Sequence, residues 1–311
     1  MNASHIKGYT LAAIAAAAYG TNPAFALPLY EQGMSPNSVL LFRYAMGLPV
    51  LALMMIIRGQ NFRLTRQEFG QVSILGVMMA FDSLTLFESY KYLNSGIAST
   101  LLFIYPVMVA LLMIFFFHEK FSITLSLCLI IMGVGLSLLV KQTSGVSLNP
   151  YGCLLVMVSA MVYALYIVLV NVSKTVRAIP TTKLLFYLLG IGCLSYMALI
   201  PFGNPLQTPV NLSGWSSLFA LAIIPTLISL ACTTIAIQLI GSTSTAIFGA
   251  LEPVCALILS VTFLGQSITG RDIVGASLIM LATTLVMADK SVDKAILGVR
   301  KMFPRRVSRN K

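Results

Sequence analysis

Three ionisable side chains stand inside long apolar runs of this sequence: Arg43, Asp82 and Glu252. At membrane depth such groups are costly, and they face a cavity or a partner. Glu252 directly precedes Pro253, and a proline in mid-helix removes a backbone donor, which would free the carbonyl of Gly249. A carboxylate beside an unsatisfied carbonyl suits an ammonium group or a proton. The plainer alternative is that Glu252 caps a broken helix through a buried hydrogen bond. Asp82, with Ser83 and Thr85 close by in sequence, either faces a central cavity, where it could exchange a proton, or pairs with a cation on another segment. Arg43 comes early in its run, where snorkelling to the surface competes with an outer salt bridge or a carboxylate contact. Glu88 and Lys91, three residues apart, read as a helix-end pair.

Other chemistries lack their residues. The two histidines sit at 5 and 118, and neither an HExxH nor a GxSxG sequence occurs, so an intramembrane enzyme is disfavoured. No GxxxxGK[ST] is present, which argues against ATP hydrolysis by this chain. The cysteines at 128, 153, 193, 232 and 255 all lie in apolar runs without metal-ligand spacing, so they read as core residues, and neither a metal nor another cofactor is expected.

The elements that must position these residues follow from composition. Hydrophobic residues make up 58% of the 311 and charged residues 9%, with a mean hydropathy of +0.92. So few charges cannot supply the exterior of a soluble domain. Cutting at polar and Gly/Pro breaks, with about 20 residues per crossing, gives ten transmembrane spans: 8–30, 38–57, 69–90, 95–117, 122–140, 151–170, 182–200, 216–238, 244–264 and 271–288. The first run reads as a retained helix rather than a cleaved signal. Sixteen of the twenty Lys and Arg residues fall on one side, the exceptions being Arg43, Lys91, Lys141 and Arg271. Both termini are therefore expected in the cytoplasm. The net charge of +11 is scattered between apolar runs and in the tail, so it serves orientation and offers no groove for nucleic acid. The tail, 290–311, spaces Val292, Ile296, Val299 and Phe303 among basic residues and should lie on an anionic lipid surface.

The chain also repeats. A shift of 144 superposes Gly8 on Gly152, Tyr19 on Tyr163, Pro36 on Pro180 and Leu40-Leu41-Phe42 on Leu184-Leu185-Phe186, and a shift of 147 places Pro106-Val107 on Pro253-Val254. Two units follow, 1–145 and 146–289, of five spans each. An odd number inverts the second unit relative to the first, an arrangement that puts a substrate site near the midplane between the halves. Pro106 and Pro253 should then interrupt the fourth and ninth spans at equivalent places, with Tyr105 standing where Glu252 does. The same register pairs Tyr19 with Tyr163 and Asn22 with Tyr166, although a buried tyrosine is most often packing with a satisfied hydroxyl. Gly133 and Gly135, and Gly275 with Ala276, suggest close helix packing.

These residues resemble a known family, the EamA-type members of the ten-helix drug/metabolite transporter superfamily. Tyr19-Gly20-Thr21-Asn22, Ser35-Pro36 and Arg43 look like the family's aromatic-Gly start, its turn and its second-helix arginine. Tyr105-Pro106-Val107 and Glu252-Pro253-Val254 look like its proline motifs, and His118-Glu119-Lys120 and Leu264-Gly265-Gln266 fall where it has LGE. The sequence departs from the pattern at Tyr19, where the family has Trp, and at Gln266. The resemblance implies a secondary transporter, often an exporter of amino acids, related metabolites or drugs, in a plasma or bacterial inner membrane.

The expected protein is thus an all-α, ten-span carrier of a small metabolite, its site built from Glu252, Asp82, Arg43, Tyr105, Asn22, Tyr19 and Tyr163. Its expected partners are the substrate, the bilayer and a proton. A channel or a non-transporting membrane subunit is the alternative. The two carboxylates favour a zwitterion or an organic cation over a polyanion.

Overall fold

A computed structural model of the chain describes residues 3–93, 98, 101–117, 123–139, 149–202, 205–252, 254, 255, 258, 270, 271, 273–282 and 285. Among them every regular element is a helix, as an apolar chain in lipid requires, since only a helix satisfies all its backbone groups within one segment. In chain order the helices are α1 (Ala3–Tyr19), α2 (Asn22–Glu31), α3 (Pro36–Ile57), α4 (Arg66–Ser89), α5 (Tyr105–Phe117), α6 (Ile123–Leu139), α7 (Pro150–Val172), the short α8 (Lys174–Ala178) and α9 (Thr181–Ala198). They are followed by α10 (Leu212–Ile240), α11 (Ser242–Gly249) and α12 (Ile273–Ala282). The segments Pro36–Ile57, Arg66–Ser89, Pro150–Val172, Thr181–Phe202 and Leu212–Ile240 are each long and apolar enough to cross a membrane.

Local chemistry sets where these helices start. The Ser35 hydroxyl accepts from the Ser38 N–H at the start of α3, with Pro36 in the first turn, and Asn149 accepts from Tyr151 and Gly152 at the start of α7, ahead of Pro150. Both use a polar cap followed by a proline whose missing donor costs nothing there. Thr65 and Glu68 form a reciprocal capping box on α4, closing two orphan donors.

Three expected spans are not continuous helices. The run 8–30 breaks at Gly20-Thr21 into α1 and α2. The run 95–117 has a turn at Phe103-Ile104, and the run 244–264 turns at Ala250-Leu251. The last two breaks coincide under the shift of 147, so the repeat extends to where helices are interrupted. Pro253, the His118-Glu119-Lys120 and Leu264-Gly265-Gln266 segments and the basic tail lie outside the described residues.

Packing respects the same relation. Helix α1 packs along α10 as α4 packs along α7, and α3 packs along α9. With α1 equivalent to α7, α4 to α10 and α3 to α9, these contacts map onto one another. The core between the helices is apolar and closely packed, with Tyr44, Tyr166, Tyr196 and Phe87 among its fully buried large side chains. Of the glycines expected to allow close approach, Gly135 does so: a Cβ there would come within 2.9 Å of the Gly275 carbonyl oxygen, whereas Gly133 faces open space.

Candidate functional site

Where the two halves meet, α1, α4, α7, α10 and the two broken segments enclose a cavity of about 30 Å³. Asp82 and Glu252 line it, with Tyr19, Tyr105, Tyr163, Ser229, Thr233 and Thr245, and no Lys, Arg or His is among the described lining residues. A space of that size holds about two waters, so a metabolite can enter only if the helices move apart.

Each wall is set by local structure. Asp82 lies on the buried face of α4, and Ser159 of α7 donates to its Oδ1 at 2.6 Å. Ser83 and Thr85 do not serve that carboxylate: Ser83 meets the Tyr44 hydroxyl at 3.2 Å, and Thr85 donates to the carbonyls of Phe81 and Asp82. The repeat gives the Asp82–Ser159 contact a counterpart. Ser229, equivalent to Asp82 under the shift of 147, donates at 3.0 Å to the carbonyl of Ala15, which is equivalent to Ser159 under the shift of 144. One sequence pattern thus yields two polar crossings, and only the first carries an ionisable group.

The break in the ninth span is completed by Tyr105. The Ala250 N–H bonds to Ile247 O instead of reaching Ala246, which leaves the Ala246 carbonyl without its helical donor. The Tyr105 hydroxyl donates to that carbonyl at 3.1 Å. Gly249 makes room for this contact, because a Cβ there would overlap the phenol oxygen. The Tyr105 ring also packs edge-on against Tyr163, their centroids 4.9 Å apart. Pro106 is buried in the first turn of α5, where its missing donor is harmless.

Glu252 immediately follows the turn and is half-buried against the cavity. The only ion pair among the described residues is Glu88 with Lys91, at 2.6 Å on the bundle surface. Asp82 and Glu252 therefore face the cavity with no cation among the described residues in an ion pair with either.

Arg43 does not snorkel: it is 3% exposed, it forms no ion pair among the described residues, and its Nε donates to the Thr226 hydroxyl and its Nη2 to the Pro225 carbonyl at 3.3 Å. Pro225 explains this placement. Without an N–H it cannot serve Leu221 O, so α10 widens into a π turn over Ala222–Ile228 and the Thr226 hydroxyl donates to Leu221 O at 2.8 Å. Such bulges leave backbone groups that side chains must re-satisfy, and Arg43 does so from α3. Asn22 also stands apart from the cavity, buried at the start of α2 with its Oδ1 unpartnered.

Sequence reasoning missed Ser159, Ser229, Thr233, Thr245 and the Pro225–Thr226 pair. For two of them the signal was present, since the repeat aligns Ser159 with Ala15 and Ser229 with Asp82.

The model of the EamA-like transporter family matches residues 6–141 and again residues 150–288. The chain is 22% identical over 245 residues to the uncharacterized transporter YdfC of Bacillus subtilis (strain 168), covering 78% of this chain and 79% of that one. A protein solved by crystallography superposes with a TM-score of 0.76 at 17% identity, covering 92% of this chain and 98% of its own, a likeness that speaks for the fold.

Proposed function

The chain belongs to the EamA-like transporter family and is a multi-pass membrane transporter, and we propose that it is a secondary transporter of a small metabolite carrying an ammonium group, an amino acid or an organic cation. The observation that carries this reading is the pair of carboxylates, Asp82 and Glu252, lining the central cavity with no basic side chain among its described lining residues. A positive group supplied by a ligand would complete the charge balance that the protein leaves open. Tyr19, Tyr105 and Tyr163 add aromatic walls, which suit an ammonium group.

Two units around a closed cavity support alternating access as the mechanism. Rocking of residues 1–145 against 146–289 would open the site to each side in turn, with the breaks at 103–104 and 250–251 absorbing the backbone change. Asp82, served by the Ser159 hydroxyl and in no ion pair among the described residues, would exchange its negative charge for a proton when the ligand leaves. The basic end of the bundle, where Arg58, Arg63, Arg66, Lys174, Arg177 and Lys183 gather, faces the cytoplasm of a plasma or bacterial inner membrane in this reading. Export is the direction that the family resemblance implies.

Glu252→Gln keeps the size and shape of the side chain and removes the charge. In reconstituted vesicles it should lower flux of a cationic or zwitterionic substrate by at least tenfold while the protein remains folded. Parental flux would remove Glu252 from the site.

A further inference from the structure

Arg43 is more fully buried than any other described arginine, and its hydrogen bonding is incomplete. Thr226 and Pro225 occupy Nε and Nη2, but Nη1 is sealed from solvent with no partner among the described residues, and no carboxylate among them forms an ion pair with it. The Tyr30 hydroxyl is a second buried donor without a partner among the described residues. Both side chains rest on Phe87: the guanidinium carbon lies 5.8 Å from the ring centroid, and the Tyr30 ring meets Phe87 edge-on with centroids 6.3 Å apart. A buried guanidinium without an ion pair is costly; Asp82 acts on it only from beyond ion-pair distance, and what the two orphan donors lack is an anion that accepts.

The position of this layer follows from helix geometry. Phe87 is five residues beyond Asp82 on α4, about 7.5 Å along the axis, and Thr226 is three residues before the cavity-lining Ser229 on α10, about 4.5 Å away. Both offsets point toward the end opposite the basic one, so Arg43 sits about one helical turn beyond the cavity on that side. An α-amino acid spans about 3 Å from its ammonium nitrogen to a carboxylate oxygen, and a charge-assisted hydrogen bond at each end adds about 2.8 Å. The total, roughly 8–9 Å, covers the separation.

Building on the transporter reading above, we propose that Arg43 Nη1 and the Tyr30 hydroxyl form a carboxylate subsite, so that the substrate is a zwitterion of α-amino-acid type, its ammonium group held between Asp82 and Glu252 and its carboxylate at Arg43. The repeat makes this site one-sided. The position equivalent to Arg43 is Tyr187, which donates to the Phe62 carbonyl near the basic end. The substrate therefore has one orientation in the cavity although the scaffold is two-fold.

The test compares ligands before it compares variants. The purified full-length protein is titrated with the L-amino acids and, in parallel, with their α-carboxamides, which keep size and ammonium group and lose the anionic charge. At least one acid should bind about tenfold or more tighter than its amide, as expected for a charge-assisted pair with arginine. Arg43→Gln should erase that difference while amide binding persists, and Tyr30→Phe, which leaves the Arg43 contacts to α10 in place, should reduce it. Amides binding as well as or better than every acid would overturn the carboxylate subsite and leave the ammonium site standing. An acid preference that survives Arg43→Gln would overturn the role of Arg43. Binding of neither series would sink the ammonium-site reading itself.

Discussion

Replacing Gly249 by alanine would set a methyl group against the phenol oxygen of Tyr105, closer than van der Waals contact permits. The ring cannot retreat freely, since Tyr105 is 4% exposed and packed against Phe103 and Tyr163. Overpacking of this kind costs about 1–3 kcal/mol. Displacing the ring also breaks the bond to Ala246 O, worth roughly 0.5–1.5 kcal/mol, and leaves a carbonyl unsatisfied. Against this stands a helix-propensity gain of at most about 1 kcal/mol, reduced because Gly249 is the last residue of α11. The net expectation is a loss of about 1–3 kcal/mol, read as a lower unfolding midpoint in detergent. Tyr105→Phe alone should cost about 1 kcal/mol. Combined with Gly249→Ala it should cost less than the sum of the two, because the oxygen that obstructs the methyl is gone. The ring carbon beneath it, 3.0 Å from the ideal Cβ, keeps the rescue partial. A Gly249→Ala protein as stable as the parent, or strict additivity of the pair, would refute this account of the break.

The remaining predictions follow from the same geometry. Asp82→Asn should fold, retain a bond to Ser159, and flatten the dependence of transport on pH; a curve that overlays the parent's would exclude Asp82 from proton handling. Thr226→Val should weaken transport more than Thr65→Ala, because the first removes an Arg43 partner beside the site while the second removes an exposed cap worth about 1 kcal/mol; equal effects in flux assays at matched protein levels would argue against a role for the π turn. Reporters fused to both ends should be active only as cytoplasmic fusions, and an active external C-terminal fusion would contradict the proposed inversion of the two units.

Much of the scaffold was legible because hydropathy and the repeat act over long stretches. The boundaries of α3, α4, α7 and α9 fall close to the expected spans because Ser35-Pro36, Thr65 with Glu68, and Asn149-Pro150 are local signals. The turns at 103–104 and 250–251 fall in the two spans expected to be interrupted, one just ahead of Pro106, while Pro253 lies outside the described residues. What could not be read was the identity of contacts between segments. Arg43 looked like a surface group because its span position was known and its neighbour was not; only the fold brings it to Pro225, some 180 residues later, whose missing N–H creates the carbonyl and hydroxyl it serves. Asp82 had Ser83 and Thr85 as obvious partners in sequence, yet helical rotation turns both away and presents Ser159. Gly249 was expected to matter for its freed carbonyl, and in the structure its missing side chain matters more.

The central claim is that Glu252 lines the substrate cavity, and accessibility of that one position tests it most directly. In a variant lacking the five native cysteines, cysteine at 252 should react with a small water-soluble thiol reagent, and substrate should slow the reaction in proportion to its occupancy. A folded protein whose cysteine at 252 stays unreactive, or reacts at the same rate with saturating substrate present, would contradict the claim.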